Sequence, residues 1–379
     1  MSDTLAIEGG SPVRSSPFPP YEAPAPAGDA DVIEAFERAL AVFCGGERVA
    51  IVCADGPSAF ALAFEAAGFD GGEVVAPSLH GEAAARALLA AGLAAVPGAV
   101  DPETVNLSSR GFARAMGEGT RGMVVTHAFG HPATMEELLR LAENDGQAIV
   151  EDLSEALGGA YRGRPVGVFG AAAALTFGPG HLLTGGEGSG GAVLVDAAQE
   201  ARVRATRTQH GGEPDEATVR VALAELRQAQ TSLQARRAAA WQLTEQLRGM
   251  RGLAKMPHGR WVMHGYDRYV VRLRSMLWQR GAPETVDALR AEGVSCELAL
   301  GPSLHLDAEV RASLGEDDAR LADEHFAATS ELPGELIAIP LTFQTSAEVD
   351  DVAEALRKVA DANTQQAGLS GSPGAAGAR

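Results

Sequence analysis

His181 stands in the stretch "TFGPGHLLTGGEG" (176–188), where a short apolar run gives way to a glycine-rich turn. An imidazole has an ordinary pKa of about 6.5, so near neutrality it can take or give a proton. Asp152 closes the apolar run "AIVED", and a carboxylate at the tip of a buried strand is costly unless paired. A cationic ring nitrogen on a ligand would satisfy it, and so would an arginine of the chain. In "CADGPSAF", Gly56 and Ser58 at the head of a helix would offer an anion backbone N–H groups and a hydroxyl. The same residues also read as a plain helix start, with Asp55 or Gly56 as cap and Pro57 in the first turn.

Two other patterns carry less. "GEGSGG" (186–191) matches the G-x-G-x-x-G of dinucleotide sites, but a strand follows it where a helix is required, and that reading is rejected. His127 and His131 in "HAFGHP" have a metal-pair spacing. Gly130 and Pro132 break the helix such a pair needs, which leaves loop-packing histidines and no metal site.

The elements that must position these residues alternate along the chain. "VAIVC" (49–53), "EVVAPS" (73–78), "GMVVTH" (122–127) and "AIVED" (148–152) are apolar strands, each separated from the next by alanine- or leucine-rich helical stretches. That alternation implies right-handed crossovers and a mostly parallel sheet covered on both faces, with ligands at the carboxyl ends of the strands. "AAALTF" (172–177) and "GAVLVD" (191–196) read as neighbouring strands, and a long helical region runs over about 214–250. The sequence divides into a proline-rich arm (1–30), a large α/β domain (31–250), a smaller α+β domain (251–363) and a low-complexity tail (364–379) expected to be disordered.

Composition narrows the partners. The chain has 379 residues and a net charge of -19, which disfavours nucleic acid and anionic membranes as partners. No apolar run reaches membrane-spanning length and the start carries no export pattern, so a cytoplasmic protein is expected. Cys44, Cys53 and Cys296 fit a reducing compartment and cannot supply the four thiolates of a typical iron–sulfur cluster. Of 31 basic residues only Lys255 and Lys358 are lysines; arginine stays protonated and cannot form a Schiff base.

From "LAIEGGSPVR" to "VADA" the chain resembles the DegT/StrS family of fold-type-I pyridoxal-phosphate aminotransferases, which act on keto-sugars and cyclitols. The most specific stretches are "HAFGHPATMEELLRLAENDGQAIVEDLSEALGGAYRGRPVG" and "LTFGPGHLLTGGEG". The resemblance implies an α/β fold with a mostly parallel seven-stranded sheet in a large cofactor-binding domain. It also implies a homodimer with its active sites at the subunit interface. Asp152 then matches the carboxylate that pairs with the cofactor's pyridinium nitrogen. Glu155 stands at the family's glutamine near the ring hydroxyl, and Thr176 at its phosphate-binding serine. Gly56 and Ser58 fall in the phosphate turn, and Glu187 and Gly188 in the turn after the catalytic position.

Several positions depart from the family. The lysine of "S-F-x-P-x-K" is His181, so no internal aldimine is expected. Pro57 replaces a threonine or serine, removing a hydroxyl and an N–H. Gly81 replaces an aromatic that stacks on the ring, for which His80 is a partial substitute. Gln209 stands where the partner subunit offers an asparagine to the phosphate. The sugar 3-dehydratase branch also carries histidine here, in a motif that resembles "S-F-Y-P-x-H-H"; it uses pyridoxamine phosphate, with the histidine as base. In this chain Leu182 takes the place of the second histidine.

Three readings stay open. His181 is the general base of a keto-sugar or cyclitol enzyme holding pyridoxamine or pyridoxal phosphate without a covalent tether. Alternatively, the chain is a non-catalytic homologue that pairs with an active aminotransferase or serves as a binding module. In the third, the scaffold serves chemistry without this cofactor.

Overall fold

The computed structural model describes residues 4–369 except 17, 19–21, 188, 211, 257–258, 260, 316–317 and 344, without the side chains of 364–369. Gly188 and the last ten residues of the expected tail therefore lie outside the described residues. The large sheet is built from β1 (Val49–Cys53), β2 (Glu73–Pro77), β3 (Ala94–Gly98), β4 (Thr120–Thr126) and β5 (Ala148–Asp152). A hairpin of β6 (Ala160–Tyr161) and β7 (Arg164–Pro165) intervenes before β8 (Ala172–Thr176) and β9 (Gly191–Val195) complete it. The seven strands lie in the order β1-β9-β8-β5-β4-β2-β3, and β9 alone runs against its neighbours. The expected mostly parallel seven-stranded sheet is what the chain forms. Parallel strands put the carboxyl ends of β1, β2, β4, β5 and β8 along one edge, and the candidate residues follow those ends.

Alternation along the strands covers both faces. Val52, Ala173, Leu175 and Leu194 face α1 (Val32–Phe43), where Phe36 and Leu40 are buried. Ile51, Ala174 and Val193 face α2 (Gly56–Ala66) and α3 (Glu82–Ala90), where Phe60, Leu62 and Leu88 are buried. Each fully buried Phe or Leu contributes about 1.5–3 kcal/mol. The edge strand β3 is followed by α4 (Ser109–Ala115), and α5 (Met135–Asp145) crosses from β4 to β5. Short α6 (Glu200–Thr206) leads to the long α7 (Glu216–Gln246), which starts where Asp215 accepts the N–H of Thr218.

Beyond α7, a four-stranded antiparallel sheet has the order β10-β12-β14-β13, from β10 (Leu253–Lys255), β12 (Arg268–Leu273), β13 (Glu297–Leu298) and β14 (Leu336–Pro340). Strand β11 (Val262–Met263) instead joins the β6–β7 hairpin. Helices α8 (Ala282–Ala291) and α10 (Ser346–Leu369) pack on the four-stranded sheet, together with Leu5 of the arm.

Three features differ from the sequence expectation. β3, "AAVPG", carries Pro97 and Gly98 and lacks the apolar run that marks its neighbours. Residues 303–315 and 318–320, placed with the small domain on sequence, dock on the large sheet. Leu304 donates to the Ser78 carbonyl at 2.8 Å, Val310 of α9 (Ala308–Leu314) is buried beside α3, and Arg320 pairs with Glu73 of β2 at 2.6 Å. The expected tail begins as helix: α10 runs to Leu369 because no proline or glycine interrupts it before Gly368.

Candidate active site

Asp152 ends β5, and its bonding partner within the chain is Ser154, not an arginine. Its Oδ1 accepts the Ser154 backbone N–H at 3.0 Å and the Ser154 hydroxyl at 2.6 Å. Ser154 Oγ in turn accepts the N–H of Thr176 at 3.0 Å, tying the ends of β5 and β8 together. No arginine pairs with Asp152 among the described residues. Burial pushes its carboxyl above the usual range despite the Ser154 bonds.

Glu155, one turn on, makes a different set of contacts. Its Oε2 lies 2.6 Å from His80 Nε2 and accepts the Phe129 N–H at 2.6 Å. Burial opposes its charge, but the His80 charge and hydrogen bond hold it well below the usual carboxylate range. His80 is correspondingly raised: burial works against the charged ring and Glu155 overcomes it, so the pair is an ion pair at neutrality. The His80 and Phe129 rings lie 4.3 Å apart. Three residues with left-handed φ meet here, His80 (61°), Phe129 (57°) and Tyr266 (55°), a strain that persists only where neighbours enforce it. Gly81 cannot carry the family's aromatic as the backbone stands, because a Cβ there would lie 2.2 Å from the Pro77 carbonyl oxygen.

His181 is fixed from behind by a residue 86 positions away. Its Nδ1 lies 3.0 Å from Oδ1 of Asp267, a fully buried carboxylate whose Oδ2 takes Arg268 at 2.7 Å. Arg236 of α7 donates to the carbonyls of Gly180 at 3.0 Å and His181 at 3.2 Å, holding the turn. The ring lies against Gly178, where a Cβ would come within 2.9 Å of its Cδ2. Burial disfavours the charged imidazole, yet Asp267, through its hydrogen bond and charge, raises the pKa overall. With Nδ1–H given to Asp267, Nε2 is the basic nitrogen. The His181 charge acts on both Asp152 and Glu155, so the three belong to one electrostatic cluster.

Of the remaining candidates, the start of α2 reaches this cluster through Thr176. Asp55 caps α2, with Pro57 in the first turn: its Oδ1 accepts the Ser58 N–H at 2.8 Å and the Ser58 hydroxyl at 2.5 Å. Gly56 is required because a Cβ would sit 2.6 Å from the Thr176 methyl. Gln209 is exposed on the turn Arg207–His210 and makes no hydrogen bond to the other candidates among the described residues. Glu187 is exposed in the turn before β9. His127 and His131 pack beside the site: His127 meets the buried Glu151 at 3.2 Å, and His131 Nδ1 lies 3.3 Å from Asn106. The thiols of Cys44, Cys53 and Cys296 are free and pushed up to about 12 by burial, so they are not nucleophiles.

Neither lysine joins the cluster. Lys358 pairs with Glu292 in the small lobe at 2.9 Å. Lys255 lines a small cavity with Thr104, Phe129, Tyr266 and Arg268, which Asp152, Glu155 and His181 do not line.

Residues 29–357 match the model of the DegT/DnrJ/EryC1/StrS aminotransferase family. The chain belongs to this family. Among DegT/StrS relatives, it is 33% identical over 224 residues to an L-glutamine:2-deoxy-scyllo-inosose aminotransferase of Streptomyces paromomycinus, covering 53% of this chain and 52% of that protein. It is 38% identical over 169 residues to an L-glutamine:scyllo-inosose aminotransferase of Streptomyces griseus, covering 44% and 39%. The chain thus spans about half the length of the curated relatives it matches. A solved structure of DesI in the presence of its TDP-sugar product superposes with a TM-score of 0.83 at 24% identity, covering 97% of this chain and 98% of that one, a likeness of fold. Family members are pyridoxal-phosphate-dependent enzymes. No helix among the described residues is long and apolar enough to cross a membrane.

The residues present meet the family's cofactor unevenly. Asp152, Glu155 and His80 suit a pyridine ring; Asp55 and Pro57 do not suit its phosphate, and no lysine reaches the place of His181. Sequence reasoning missed Ser154 and Asp267. Ser154 was visible two residues after Asp152 as a side chain able to bond back to it. Asp267 gave no local signal.

Proposed function

We propose that this chain acts on a keto-sugar or cyclitol, removing a proton from the carbon beside the carbonyl with His181 as general base. The observation that supports this is the fixed imidazole: Nδ1 is held by a fully buried Asp267, and Nε2 is left as the base within electrostatic reach of the Asp152 and Glu155 carboxyls. Those carboxyls are pushed in opposite directions, Asp152 up and Glu155 down, so Asp152 is the better placed of the two to carry a proton. Asp152 can then return a proton to an oxygen of the substrate while Asp267 stabilises the imidazolium. The substrate class comes from the relatives, whose names specify scyllo-inososes. In the dehydratase-like form of this reading, pyridoxamine phosphate would be held without a covalent link and His181 would serve as its base. The phosphate end does not fit that group.

The same misfit favours a second reading, a non-catalytic subunit that pairs with an active homologue or binds the sugar only. The deciding experiment follows deuterium uptake beside the carbonyl of scyllo-inosose by proton NMR, without coenzyme. Protein-dependent exchange that is lost in His181→Ala supports the base. Binding without exchange supports the second reading, and neither binding nor exchange overturns the substrate class.

A pH profile of the same exchange checks the Asp267 contact. The reaction needs neutral His181, and Asp267 raises its pKa, so the rate should climb with pH along a limb above the ordinary value of about 6.5. Asp267→Asn removes the charge that raises it, and the limb should move to lower pH. A limb that stays in place would detach Asp267 from the base.

A further inference from the structure

We infer that Asp55 fills the phosphate cradle of this fold with the chain's own carboxylate, so that the site excludes phosphorylated pyridoxal coenzymes. A helix start can receive an anion only through N–H groups left without an intrahelical partner. In the first turn of α2 all but one of those groups are already used or missing. Pro57 has no N–H. The N–H and the hydroxyl of Ser58 both go to Asp55 Oδ1, at 2.8 and 2.5 Å. The N–H of Ala59 goes to the Asp55 carbonyl at 3.1 Å. Only the Gly56 N–H is untouched by Asp55 and Pro57.

Charge adds to the loss of donors. A neutral serine or asparagine at a helix cap satisfies the same N–H groups without a charge. An aspartate there places a negative charge where a phosphate dianion would have to settle, and like charges in a partly desolvated site repel strongly. Two of the arginines at this end are already paired, and Arg202, which shares a pocket with Asp55, Pro57 and Ser58, donates only to the Glu65 carbonyl at 3.3 Å. Arg207, whose charge reaches Cys53 at the end of β1, donates to Glu213 and to the Val52 carbonyl, and Arg204 is held by Glu37 and Glu200. The Thr176 methyl lies against Gly56, where a Cβ would come within 2.6 Å of it. The pyridine end, by contrast, keeps its carboxylates. The site has lost affinity for one particular group while retaining its shape around His181.

The test compares the unaltered protein with the double variant Asp55→Asn/Pro57→Thr. Asparagine still caps the helix, and threonine restores an N–H and a hydroxyl. Circular dichroism and melting confirm that the variant folds. Pyridoxamine phosphate is titrated by calorimetry, with pyridoxamine, which lacks only the phosphate, as the reference ligand. The unaltered protein should show no saturable pyridoxamine phosphate binding up to about 1 mM, and the variant should bind it at least about tenfold more tightly. In the variant the phosphorylated ligand should outbind pyridoxamine. Micromolar binding of pyridoxamine phosphate by the unaltered protein overturns the inference, and so does a folded variant that gains nothing. The proton-exchange assay contains no coenzyme, so its failure leaves this result standing, and the reverse also holds.

Discussion

His181→Ala should lower the exchange rate at the carbon beside the carbonyl by about 10²- to 10⁴-fold, the usual contribution of a positioned general base. The loss should fall on the rate and leave substrate affinity nearly unchanged, because an imidazole acting on a C–H bond matters mainly in the transition state. The fold should survive. Asp267 keeps its 2.7 Å bond to Arg268 and lies 3.8 Å from Arg236, so removing the ring does not strand a buried charge. Asp267→Asn should lower the rate less, since the ring keeps a neighbour of the same shape but loses the charge that stabilises its protonated form. A folded His181→Ala protein that exchanges at more than half the original rate would remove His181 from the chemistry.

The largest effect on stability should come from Glu151, next to Asp152 but pointing to the other face of the sheet. This carboxylate is fully buried. Its Oε1 accepts the N–H groups of Phe169 and Gly170, both at 2.7 Å, and its Oε2 accepts that of Gly167 at 2.8 Å and His127 Nε2 at 3.2 Å. His127 Nδ1 accepts the Ala133 N–H at 3.0 Å, so its proton is on Nε2 and the ring is a neutral donor. Glu151→Ala strands four donors and should cost about 3–5 kcal/mol, enough to lower the melting temperature by several degrees or abolish soluble expression. Glu151→Gln should rescue little, because its amide would set N–H groups against the Gly167 N–H and the His127 proton. Burial works against the Glu151 charge, but His127 and the backbone N–H groups hold its pKa below the ordinary 4.5. Its contribution is therefore complete above about pH 4.5 and is lost as pH falls through the depressed value. A melting curve for Glu151→Ala within 1 °C of the unaltered protein would refute this.

The contrast between these two neighbours bears on what the sequence reveals. Strands such as "VAIVC" and "AIVED" announce themselves because both faces of a parallel strand are buried and the run is continuously apolar. β3 is silent for the opposite reason, having Pro97 and Gly98 at its end. The helix start at Asp55 is legible because a cap is local chemistry, and the plain reading of "DGPS" matches the observed bonds. The partner of His181 is not legible. Asp267 reaches it only after α7 and β11 have turned the chain back, and nothing in "GYDRY" marks one aspartate among fifty acidic residues as the buried one. The stretch of residues 303–315 and 318–320 is a further case. Its apolar residues Leu304 and Val310 say that it docks, but only the fold decides that it docks on β2 and α3.

At position 181 an imidazole stands where the resemblance puts the amine that would tether a coenzyme. Reduction with borohydride after incubation with micromolar pyridoxal phosphate tests this directly, with the adduct located by peptide mass spectrometry. The chain should stay unlabelled at stoichiometric level, because residue 181 cannot form an imine and Lys255 and Lys358 lie outside the cluster. One equivalent of reduced adduct on Lys255 would show that an ammonium group enters the site after all and would contradict an untethered coenzyme.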